Sequence, residues 1–186
     1  MVWSVGRYVS EDDTRRLDLA ATVHRTANQG GIFSPCYERA VYPRTVWIWV
    51  DGSALTPLTE RLGAEIEQHL GRSGLPVRRG VFARYPALIR WSDGEDFSPL
   101  VVEGFRQQAV VLVLSDGRGI ANADRAGLTH RELGLLLEGL SGWRQLAFVD
   151  LGAGRHGMAE ILRRYGIPCL MPWQVAAFVA GNDPGA

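Results

Sequence analysis

Apolar and polar positions follow two alternating rhythms along most of this chain. Unbroken apolar runs rich in β-branched and aromatic residues occupy 45–51 (Thr-Val-Trp-Ile-Trp-Val-Asp), 109–116 (Ala-Val-Val-Leu-Val-Leu-Ser-Asp), 145–151 and 167–171. Each is too short for a core helix, and continuous apolarity is what a parallel strand covered on both faces requires. The stretches 77–83 and 87–91 alternate more and suit strands nearer a sheet edge, as an antiparallel pair turned at Tyr85-Pro86. Between the runs the spacing becomes helical. Leu58, Leu62, Ile66 and Leu70 recur every fourth residue over 57–70. Thr129 followed by Glu132 forms a capping-box pattern opening a helix over 129–140. Further helices are predicted over 157–165 and 173–180, with a weaker one over 99–107. Strand and helix in alternation predict an α/β, Rossmann-like fold: a doubly wound, mostly parallel six-stranded sheet with flanking helices.

The first 44 residues stand outside that rhythm and read as an N-terminal arm with a helix over 11–28, ending at Gly30-Gly31 and followed by a loop over 32–43. The main domain then spans 45–180, and 181–186 is a frayed tail.

Composition narrows the chemistry. Lys+Arg and Asp+Glu are both 20 among the 186 residues, and the zero net charge gives no electrostatic case for nucleic acid or an anionic membrane. All the basic residues are arginine, which removes every mechanism built on a lysine ammonium, including the Walker A lysine and Schiff-base chemistry. It also removes a phosphatase of the haloacid dehalogenase type, which needs a late lysine. Cys36 and Cys169 lie far apart, and His24, His69, His130 and His156 are scattered, so no zinc-ligand spacing exists. No run reaches the ~18 apolar residues of a membrane span and no signal peptide opens the chain, so a cytoplasmic location is expected. Trp47 and Trp49 share one strand face as core residues, whereas Trp91 and Trp143, at segment ends, are either peripheral core or half-exposed partner contacts.

Three short stretches carry a family resemblance. Leu17-Asp-Leu-Ala-Ala-Thr-Val-His-Arg, followed by Gly30-Gly31, is similar to the segment preceding the von Willebrand factor A (vWA) domain in bacterial proteins that work beside MoxR-type AAA+ ATPases. Trp47-Ile-Trp-Val-Asp-Gly-Ser53 resembles the first core strand of such domains, and Ser115-Asp-Gly117 resembles their Thr-Asp-Gly. The resemblance implies a sheet with 45–51 and 109–116 adjacent and parallel at its centre, in strand order 3-2-1-4-5-6. It also implies a metal-ion-dependent adhesion site, in which an Asp-x-Ser-x-Ser loop, a Thr and a later Asp hold a divalent ion that takes a partner's carboxylate. Asp51, Ser53 and Asp116 match as metal ligands, whereas Leu55 stands at the second hydroxyl position, with Thr56 one place late and Ser98 the nearest hydroxyl for the remaining loop. The expected site is therefore degenerate, with Mg²⁺ as the ion if any cofactor binds. The expected function is a non-enzymatic protein–protein interaction module of a multi-component bacterial system, partnered by an AAA+ ATPase or an effector protein.

A different class competes. Asp51, Asp116 and Asp150 each follow an apolar strand, where open α/β sheets place their sites, and three converging carboxylates would describe a Mg²⁺-dependent nuclease resembling PIN-like or NYN-like domains. The bland reading of each is a turn residue after a strand. Gly152-Ala-Gly-Arg-His-Gly157 has dinucleotide-loop spacing but follows a late strand, and reads as a loop.

Overall fold

The computed structural model describes residues 8–42, 44–54, 57–101, 104–123 and 129–181. The chain divides into two compact units, one formed by 7–43 and the other by the rest of the chain. Leu55, Thr56 and the tail beyond 181 lie outside the described residues.

In the smaller unit the helix expected over 11–28 begins only at residue 19. Strand β1 (Tyr8–Leu17) comes first, helix α1 (Leu19–Asn28) follows, and β2 (Tyr37–Tyr42) pairs antiparallel with β1. The stretch Glu11-Asp-Asp-Thr-Arg-Arg16 has no apolar position to define a helical face. Its backbone is satisfied across the hairpin instead, and the Thr14 hydroxyl donates to the Glu38 carbonyl at 2.6 Å. Asp18 marks the boundary: its backbone is extended, and its Oδ1 accepts from the Ala21 N–H at 2.9 Å as the N-cap of α1. The segment read as a loop over 32–43 therefore contributes a strand. Its Cys36 N–H donates to the Thr22 hydroxyl at 2.9 Å, tying it to the one buried residue of α1.

The larger unit holds a seven-stranded sheet, one strand more than expected. Its strands are β3 (Thr45–Asp51), β4 (Val77–Phe82), β5 (Ile89–Trp91), β6 (Asp96–Phe97), β7 (Ala109–Ser115), β8 (Gln145–Asp150) and β9 (Cys169–Leu170), in the order β6-β5-β4-β3-β7-β8-β9. From β4 to β9 all neighbours are parallel, while β5 and β6 turn back as antiparallel hairpin strands at one edge. The expected central pair is present: Thr45–Val50 pairs in parallel with Ala109–Leu114. The added strand β6 is only two residues long, too short to leave a periodic signal.

Helices α2 (Pro57–Arg72) and α6 (Val175–Val179) cover one face, α4 (His130–Ser141) and α5 (Met158–Arg163) the other. The short α3 (Arg118–Ala121) follows β7. Alternation along β3 divides the core accordingly. Val46, Ile48 and Val50 face α2 and α6, and Trp47 and Trp49 join Leu133, Leu136, Leu137 and Leu140 of α4. Trp91 and Trp143 are buried there too, with ring centroids 5.2 and 5.5 Å from Trp47, so they are core residues and not partner contacts. The helix considered over 99–107 does not form; its described residues make turns that lead into β7. Among the described residues no helix is long and apolar enough to cross a membrane.

Candidate functional site

Parallel strands deliver their C-terminal ends to one pole of the sheet, and β3, β7 and β8 each end there on a carboxylate or its neighbour. Asp51 closes β3 and has no solvent exposure. Its Oδ1 accepts from the Ser53 amide at 3.0 Å and from the Ser53 hydroxyl at 2.5 Å, and its Oδ2 accepts from the Ser115 hydroxyl at 2.9 Å. Ser115 Oγ in turn accepts from the Gly117 N–H at 3.1 Å. A buried carboxylate needs such donors to offset its lost hydration. The result is a closed polar knot that pins the turn after β3 to the turn after β7.

Asp116 points elsewhere. Its carboxylate accepts from the Arg118 backbone N–H at 2.9 Å and pairs with Arg118 Nε at 3.1 Å. Arg118 Nε also donates to His156 Nε2 at 3.4 Å, linking α3 to the loop after β8. Asp150 folds that loop around itself: Oδ1 accepts from Gly152 N–H at 2.7 Å and Oδ2 from Gly154 N–H at 2.8 Å. The loop 152–157, with its glycine spacing, thus points two of the backbone donors that a phosphate would need at its own aspartate. Gly152 is required by close approach, since a Cβ there would lie 2.5 Å from the Asp116 carbonyl oxygen. Below the loop, burial and the nearby Asp150 charge push the Cys169 thiol up to about 11.

The structure therefore brings Asp51 and Ser53 together, adds Ser115, and gives Asp116 and Asp150 separate partners. Ser98 follows β6, three strands away from β3. Among the described residues no three His, Cys, Asp or Glu side chains gather to hold a metal ion, so Asp51, Asp116 and Asp150 form no nuclease-like trio. The donor set does not fit a hard divalent cation, which needs several free oxygen ligands at once. Both Asp51 oxygens are occupied by hydroxyl and amide donors, and a guanidinium covers Asp116.

Beside this knot lies a cleft of about 660 Å³ lined by Thr59, Leu62, Asp116, Arg118, His156 and Trp173, among others. Trp173 follows β9 in a short 3₁₀ turn (Pro172–Gln174) and is 75% exposed. Among the described tryptophans it is the exposed one, and residue type alone carried no signal to separate it from its buried counterparts. Arg155, also on the cleft wall, is exposed and has no carboxylate partner among the described residues.

The fold and site define an α/β protein of Rossmann-like class, with its candidate site at the carboxyl ends of a mostly parallel sheet. No protein-family model matches the chain, and no curated relative is found for it.

Proposed function

We propose that this chain is a vWA-like protein-interaction module that receives its partner in the cleft at the C-terminal pole of the sheet. The observation that carries this reading is the division of labour there. The acidic side chains are occupied within the fold, while an exposed indole, Trp173, and Arg155, a cation with no carboxylate partner among the described residues, face the cleft. Exposed aromatic and arginine side chains are the residue types that dominate protein interfaces. Met171 and Pro172 extend the apolar wall. In this reading Ser53 and Ser115 hold Asp51 as an internal strut, and binding proceeds through shape, apolar contact and arginine without a metal-bridged carboxylate. The partner class that the family resemblance implies is a MoxR-type AAA+ ATPase or an effector protein.

Two measurements test the proposal. Binding to the MoxR-type ATPase of the same organism, followed by surface plasmon resonance, should weaken at least about tenfold in Trp173→Ala, the loss typical of an aromatic anchor. Unchanged binding in that variant would remove the cleft from the interface. Mg²⁺ or Mn²⁺ should leave the melting temperature unmoved, because an ion that does not bind the folded state cannot stabilise it. A metal-dependent rise that disappears in Asp51→Ala would restore the adhesion-site mechanism, and metal-dependent cleavage of RNA or DNA lost in the same variant would establish the nuclease.

A further inference from the structure

Next to the partner cleft lies a second hollow, of about 360 Å³, between α2 and α6. Its walls are apolar: Ile66 and Leu70 come from α2, Leu75 from the turn after it, and Val175 and Val179 from α6. The four-residue repeat of Leu62, Ile66 and Leu70 lays one apolar stripe along α2. Helix α6 is only five residues long and leaves a seam beside that stripe. Leu62, Glu65 and Pro172 line both hollows, so the two meet along a shared wall. Trp173 stands next to Pro172 at that junction, exposed.

The two hollows differ in chemistry. In the cleft the carboxylates turn inward and the guanidinium groups outward. Asp150 is buried against the Gly152 and Gly154 amides. The Asp116 side chain is 21% exposed, whereas that of Arg118 beside it is 73% exposed. Arg155 is exposed on the loop after β8. Glu65, on the shared wall, is exposed too, but it is paired with Arg61 at 2.7 Å. A ligand therefore meets positive charge at the cleft end, an indole at the junction and apolar side chains between the helices.

We propose that the partner enters as one amphipathic segment of its chain, with acidic residues at Arg118 and Arg155 and apolar residues laid between α2 and α6. The inference rests on the reading of the cleft as the partner site and adds the chemistry of what fills it. An apolar face seated in a groove between helices contributes affinity by burial, and complementary charge at one end fixes its direction. Arg118 and Arg155 come from different elements, α3 and the loop after β8, and the cleft they line is about 660 Å³. A run of carboxylates matches that spread better than the single head group of an acyl chain.

The probe is a synthetic peptide with a run of glutamates at one end and leucines at helical spacing at the other, titrated calorimetrically into the full chain. Two control peptides carry lysines for the glutamates or serines for the leucines, and sodium laurate is the acyl control. The acidic and apolar peptide should bind, and each control should bind at least about tenfold more weakly. Arg155→Glu reverses a charge in the cleft, and Ala176→Glu places a carboxylate in the apolar seam. Both positions are exposed, so both variants should keep the circular dichroism of the unmodified chain. Each should weaken the peptide at least about tenfold. Equal binding of the lysine peptide or of laurate, no binding of the acidic peptide, or indifference to either variant overturns the proposal. The same variants in the surface plasmon resonance assay with the ATPase separate the two levels of inference. Binding that falls in Trp173→Ala but not in Arg155→Glu or Ala176→Glu keeps the cleft and removes this segment. Binding unchanged in Trp173→Ala removes the cleft, and this inference with it.

Discussion

Ser115 meets Asp51 where two neighbouring strands end, and the carboxylate they share is closed to solvent. Among the described residues its three donors come from Ser53 and Ser115, and of these only the Ser115 hydroxyl reaches Oδ2. Removing one partner of a buried pair leaves the other unsatisfied, which costs about 1–3 kcal/mol. Ser115→Ala should therefore lower unfolding stability by that amount in urea denaturation, with Ser115→Thr recovering most of it. A neutral Ser115→Ala would mean that the knot is not a structural strut. Asp51 was legible in the sequence as a strand-terminal acid. Its partner is harder to read, because Ser115 belongs to a Ser-Asp-Gly turn in which the family resemblance makes Asp116 the expected ligand. Sequence spacing says which residues share a turn, not which of two adjacent side chains turns inward.

Elements are punctuated by their caps, and α4 shows how completely that can be local. Thr129 Oγ1 accepts from the Glu132 N–H at 3.2 Å, and Glu132 returns a carboxylate oxygen to the Thr129 N–H at 2.8 Å. The Thr129 N–H, then its hydroxyl, hold the Glu132 carboxyl below the usual carboxylate range. A carboxyl lowered in the folded state contributes stability above its unfolded value and loses it as pH falls through the folded one. Thr129→Ala should cost about 1 kcal/mol at neutral pH, and the difference from the unmodified chain should shrink as the solution is acidified. A difference that grew on acidification would contradict the capping box. At the other end of the chain the same logic worked less well. Asp18 caps α1, but the polar run before it carries no local mark of a strand, because the hairpin partner at 37–42 lies some twenty residues away. Strand pairing is a non-local reward, and a window of neighbouring residues contains no record of it.

The two units differ in what holds them. The larger encloses two apolar layers, one on each sheet face. The smaller buries Thr22 in α1 while Leu19, Val23, Ile32 and Phe33 remain exposed. A segment of that size rarely buries enough apolar surface to offset its chain entropy. A synthetic peptide covering 7–43 should therefore show no cooperative thermal transition by circular dichroism. A sigmoidal melt would show that the hairpin and α1 are self-sufficient.

The parallel strands and their flanking helices follow from the residues themselves, because a strand buried on both faces must be apolar throughout and a covering helix must repeat near 3.6, whereas the central pairing of 45–51 with 109–116 was expected only from the family resemblance. The ends of those strands did not follow. Whether Asp116 faces Asp51 or Arg118, and whether Trp173 is core or surface, depend on side chains that reach the same place from distant strands. Core periodicity is set by burial, which each residue type expresses wherever it stands. A polar site is set by pairing, and a pair exists only once the fold has brought its two members together.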